Sequence, residues 1–160
     1  MKTTILLILA ITLQTTAFAQ EEEITEEDIV AYASLMLKVD SMKTAAKEQF
    51  SEMVKNHELM AGGKRYNELK KAIGDEEKLA EINATEEEIA AYNELVAFNT
   101  QASVDIKTVF SSSVKEGLGA RKYNAIKKKL KTDADFKTKY QEIYDNMAGE
   151  MEESTEEEAN

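Results

Sequence analysis

The sequence predicts an all-α protein, a pseudo-symmetric helical bundle in which one long-helix/short-helix unit is used twice. Three observations predict it. The 160 residues include no proline and only six glycines, too little turn chemistry for a sheet protein. Apolar residues recur at three- and four-residue steps over stretches of roughly 30 residues, the period of helices with one buried face. Residues 25–55 also fall on residues 85–115 at a constant offset of 60, and internal recurrence of this kind marks a repeated structural unit.

The chain is expected to open on a targeting signal. Lys2 precedes an apolar run from Ile5 to Leu13 broken only by Thr12, and Ala17-Phe18-Ala19 supplies the small-x-small pattern of a cleavage site. The run is far shorter than the ~20 residues that span a bilayer. Residues 1–19 are therefore expected to be a signal peptide, with the exported chain beginning at Gln20 in a periplasmic or extracellular space. No cysteine is present, so neither a lipid anchor on cysteine nor a disulfide is available and stability must come from packing.

The helical domain is expected over 20–148, with repeat one at about 24–83 and repeat two at about 84–147. Thr25 with Asp28, and Thr85 with Glu88, have capping-box spacing, and Ile24 with Ile29 has the spacing of a hydrophobic staple. From the first cap the apolar stripe runs through Ile29, Tyr32, Leu35, Met36, Val39, Met42, Ala46, Phe50 and Met53. From the second it runs through Ile89, Tyr92, Leu95, Val96, Ala102, Ile106, Val109, Phe110 and Val114. Gly62-Gly63 and Gly117 with Gly119 are expected to end these helices. Short helices follow, with Tyr66, Leu69 and Ile73 in one and Tyr123, Ile126 and Leu130 in the other facing inward. A capping-box-like start from Thr132 to Asp135 leads a last helix carrying Phe136, Tyr140, Ile143, Tyr144 and Met147. Residues 149–160 are acidic with almost no apolar side chains and are expected to form a disordered tail.

Helical period accounts for the apolar matches between the halves but not for the polar ones. Thr25-Glu26-Glu27 recurs as Thr85-Glu86-Glu87, and Lys47, Ser51 and Lys55 recur as Lys107, Ser111 and Lys115. After a loop three residues shorter in the second half, Tyr66, Asn67, Lys70 and Lys71 recur as Tyr123, Asn124, Lys127 and Lys128. Corresponding aromatics, Tyr32 and Tyr92, Phe50 and Phe110, Tyr66 and Tyr123, are expected to be buried in matching places.

An acidic Thr-Glu-Glu start, a long helix and then Gly117-Leu118-Gly119-Ala120-Arg121-Lys122-Tyr123-Asn124-Ala125-Ile126 resemble domain of unknown function family 4168, small exported bacterial helical proteins. The resemblance covers roughly residues 24–145, although Leu59-Met60-Ala61-Gly62-Gly63 replaces the Gly-Leu step in the first half. It implies export and a helical fold, and brings no catalytic residue.

Composition narrows the function further. The formal net charge is −11, which repels nucleic acid and anionic lipid from the chain as a whole. Only 117–144 is locally basic, with 8 basic against 3 acidic residues. A single histidine and no cysteine leave little for acid–base or thiolate chemistry. No calcium-hand loop, phosphate loop or nucleophile elbow occurs, and the carboxylates sit on helix starts and the tail rather than in a cleft. No enzymatic activity and no cofactor are expected.

Two surfaces are candidates. Lys64, Asn67 and Lys71 lie at helical spacing, and Arg121, Asn124 and Lys128 repeat the pattern. A basic-Asn-basic face used twice suits an envelope protein with an acidic segment or an anionic ligand, although charged stripes on helices commonly just face water. Met53, His57 and Met60 stand at i, i+4 and i+7, a thioether–imidazole set suited to Cu(I) or Ag(I), although Met53 also falls on the core stripe. The sequence thus predicts an exported, non-catalytic helical interaction module of the bacterial cell envelope, with a small-ligand or soft-metal binder as the alternative.

Overall fold

The computed structural model describes residues 23–158. The expected signal peptide lies outside the described residues. The described chain is an all-α bundle with no strand. Its helices are α1 (Glu26–Asn56), α2 (Lys64–Ala72), α3 (Glu76–Glu81), α4 (Glu86–Ser113), α5 (Ala120–Thr132) and α6 (Ala134–Glu158). No helix among the described residues is long and apolar enough to cross a membrane.

Both long helices start where their caps predict. The Thr25 hydroxyl accepts from the Asp28 amide at 3.3 Å while the Asp28 carboxylate accepts from the Thr25 amide at 3.0 Å. Thr85 and Glu88 repeat this at 3.2 and 2.9 Å. Two otherwise orphaned amides are thereby satisfied at each start. The ends differ. α1 stops at Asn56, where His57 turns extended (φ −71°, ψ 124°), and a 3₁₀ segment, Glu58–Gly63, leads to α2. α4 instead widens into a π-helical turn, Val114–Leu118, before Gly119. Gly117 has no left-handed backbone; Gly63 (φ 98°) and Gly119 (φ 78°) do, and each sits immediately before a short helix. Both are strongly disfavoured for a residue with a Cβ, which explains glycine at those two turns.

α1 and α4 run antiparallel. Val54, near the end of α1, shares a core cluster with Ala91, Tyr92 and Leu95 near the start of α4, and Met60 and Leu69 complete it. At the opposite end, Tyr32 clusters with Leu118 and Ile126. A 31-residue helix is about 46 Å long, so the two clusters lie far apart. α6 runs parallel to α1 along its flank, with Tyr140 against the Tyr32 ring and Tyr144 hydroxyl reaching Asp40 at 3.3 Å.

Several local expectations are corrected. Ile73 is the C-cap of α2 and is 37% exposed, because the helix ends one residue before it. Thr132 does not cap the last helix: its hydroxyl donates to the Lys128 carbonyl, and Asp133 accepts from the Phe136 amide at 3.0 Å instead. Asp75 likewise caps the short α3, accepting from Lys78. Phe50, Phe110, Tyr66 and Tyr123 are half-buried, whereas Tyr32 and Tyr92 are buried. α6 continues as helix to Glu158, across much of the stretch expected to be a disordered tail, and Gly149, Glu150 and Met151 on it are exposed. Glu, Ala and Met are favourable helix formers.

Candidate functional site

The short helices α2 and α5 carry the candidate partner face, and each is pinned to the start of a long helix. From α2, Arg65 Nε and Nη2 donate to the two Glu88 carboxylate oxygens at 2.7 and 2.6 Å, a fork-to-fork pair. Arg65 also donates to the carbonyls of Ile82 and Asn83 and to Glu68. From α5, Lys122 Nζ donates to both Asp28 oxygens at 2.8 and 2.9 Å. The acid in each pair is the N3 residue of a capping box, so the same carboxylate closes the cap and holds the short helix.

Electrostatics follow the geometry. Hydrogen bonds from Arg65 and then from the Thr85 amide hold the Glu88 carboxyl below its ordinary range against the cost of burial. At Asp28 burial is the largest influence and pushes upward, but the hydrogen bonds from Lys122 and Thr25 together outweigh it and leave the carboxyl lowered.

Aromatic rings reinforce both junctions. Phe50 meets Tyr66 edge-on (5.7 Å, 78°) and Tyr66 meets Tyr92 tilted (5.1 Å, 31°). Phe110 meets Tyr123 edge-on (5.4 Å, 79°) and Tyr123 meets Tyr32 tilted (5.4 Å, 31°). Burial raises the Tyr66 and Tyr32 phenols above their usual value.

With Arg65 and Lys122 committed inward, the neighbouring basic positions point out. Lys64, Asn67, Lys71, Arg121, Asn124 and Lys128 are all exposed. Among the described residues none of the four cations forms an ion pair, and Asn67 donates to the Gly63 carbonyl at 3.0 Å. The structure does not join the two stripes into one surface. α2 belongs to the end of the bundle holding Leu69, and α5 to the end holding Ile126.

The Met-His face is not assembled as spacing predicts. α1 ends before His57, so Met53 and Met60 do not share one helix. Met53 is 37% exposed and Met60 is fully buried in the core. His57 Nδ1 accepts from the Leu59 amide at 3.2 Å and acts as a helix cap. Among the described residues no cluster of three or more His, Asp or Glu could hold a metal.

A notch of about 410 Å³ lies between the last turns of α1 and the start of α2. Its polar lining is Lys47, Ser51, Lys55 and Asn67, and Phe50 and Tyr66 contribute its apolar side. The helical stripes did not reveal the first three, because they sit on the solvent side of α1. The available signal was their recurrence at offset 60 in positions where packing demands no identity.

Comparison with known proteins yields no matching family model, no matching curated protein and no matching solved structure.

Proposed function

We propose that this chain is an exported, non-catalytic binding module of a bacterial cell envelope, periplasmic or extracellular, built by duplication of one long-helix/short-helix unit. The resemblance of residues 24–145 to family 4168 and the leader-like residues 1–19 support export. The crossed ion pairs and ring sets at the two ends, with interplanar angles agreeing within a degree, support the duplication.

One observation carries the binding role. In an acidic chain, the basic-Asn-basic face on α2 and again on α5 is exposed, and its cations are engaged by no acid among the described residues. Exposed lysines contribute little to stability, so folding gives no reason to keep the pattern twice. The partner is an envelope protein with an acidic segment. Its capture from envelope extract is expected to weaken with Arg121→Glu plus Lys128→Glu, with the helical signal unchanged, and to weaken as salt rises. Capture indifferent to both sinks the reading. The acidic residues 149–160 are a rival occupant of the same face, and truncation after Met147 separates the cases: self-occupancy predicts stronger capture once the tail is gone.

A further inference from the structure

We propose that the notch between α1 and α2 binds a small organic anion, a phosphate or carboxylate group carried on an apolar, preferably aromatic, body. Lys47, Ser51 and Lys55 follow one another at i, i+4 and i+8, one face of α1. Successive members are about 6 Å apart along the axis, so two flexible ammonium groups can converge on the level of the Ser51 hydroxyl. Neither lysine forms an ion pair with a described residue, although Glu48 and Glu52 stand within a turn of them. The Ser51 hydroxyl has no hydrogen bond within the described chain, whereas those of Thr100, Ser103 and Thr108 are turned back onto their own helix carbonyls. No acidic residue lines the notch. Beside these donors, the half-buried Phe50 and Tyr66 rings offer an apolar wall. Cations and a hydroxyl at one side and rings at the other match an anion with an apolar body.

Recurrence is the independent observation. All seven lining residues that carry a side chain recur identically in the second half, as Lys107, Phe110, Ser111, Val114, Lys115, Tyr123 and Asn124. Packing accounts for the Phe, Val and Tyr, because they meet core side chains. It does not account for exposed Lys47, Ser51 and Lys55. The second set lies partly on the π-helical turn Val114–Leu118, which takes Lys115 off the α-helical register, so the first notch is the stronger site. This site shares Asn67 with the outer face of α2 but does not rest on the role proposed for that face.

The test is a titration of the isotope-labelled chain from Gln20 onward with phenyl phosphate, benzoate and inorganic phosphate, followed by amide shifts. Saturable shifts at Ser51, Lys55 and Gly63 are expected, with phenyl phosphate or benzoate binding more tightly than inorganic phosphate. Whichever of the two aromatic probes binds better identifies the headgroup. Lys47→Ala with Lys55→Ala is expected to weaken the better probe about tenfold, the sum of two exposed charge contacts. Lys64→Glu with Lys71→Glu, which removes the outer face of α2, leaves the notch shifts in place. The single Lys55→Glu variant guards against misfolding of the double variant and is expected to abolish saturation. Absent shifts, shifts spread evenly over Lys129, Lys131 and Lys137, or affinity unchanged in the Lys47/Lys55 variants overturn the proposal. Capture of an envelope protein by α2 and α5 is read separately, so either idea can fail without the other.

Discussion

α1 and α4 begin with the same cap, carry the same ring contacts and receive the same kind of ion pair, yet they end in different surroundings. After α5 the chain continues into α6, whose 25 residues run along α1. After α2 comes only the six-residue α3. α1 is therefore covered on two flanks, and Ala33 and Leu37 are buried beside the stripe residues Ile29, Tyr32, Leu35 and Val39. At offset 60 those two positions are Asn93 and Ala97, both exposed, and Val104 beyond them is 50% exposed. Two helices of similar length and similar start thus differ in burial, and the one with α6 along its flank buries more of its circumference.

The largest expected effects test whether the two ends are one device. Leu69 and Ile126 are fully buried at corresponding positions of α2 and α5, and truncating either to Ala is expected to cost about 2–5 kcal/mol in denaturant unfolding. Costs within about 1 kcal/mol of each other sharpen the correspondence; a near-neutral Leu69→Ala breaks it.

The covered and uncovered flanks come next. Leu37→Ala truncates a buried side chain of α1 and is expected to destabilise by about 2–4 kcal/mol. Ala97→Ser on the open flank is expected to stay within about 0.5 kcal/mol. Equal effects at the two positions would mean that α6 does not make the difference.

Smaller effects come from the pinning pairs. Arg65→Ala removes five hydrogen bonds around Glu88, Glu68 and the end of α3 and is expected to cost about 1–3 kcal/mol. Lys122→Ala, at the more exposed pair, is expected to cost about 1 kcal/mol. Glu88 and Asp28 both have lowered carboxyl values when folded. Their contributions are therefore complete above the unfolded carboxylate value, about 4, and are lost as pH falls through the lower folded values. Stability against pH is expected to drop less steeply on the acid side for Glu88→Gln than for the unaltered chain. The smallest effect is Asp133→Ala, which removes the α6 cap at a cost of about 1 kcal/mol; no change in thermal midpoint would argue against the cap.

Helix starts and buried faces were legible in the chain because they depend on neighbours three or four residues apart. Thr25 with Asp28 and Thr85 with Glu88 form their caps as spacing predicts, and Tyr32, Leu35, Tyr92 and Leu95 are buried on the predicted stripes. The exposed basic-Asn-basic positions were legible for the same reason. Tertiary structure decided what depends on distant partners. The contact of Tyr32 with Tyr140 requires α6, about a hundred residues later in the chain. The inward commitment of Arg65 and Lys122 needs the capping acids of α4 and α1. His57 could be read from spacing as a ligand, but the break of α1 before it made it a cap, and that break separated Met53 from the buried Met60. Local hydrogen bonding follows sequence spacing, whereas the packing of one helix on another brings together residues whose positions in the chain carry no shared period.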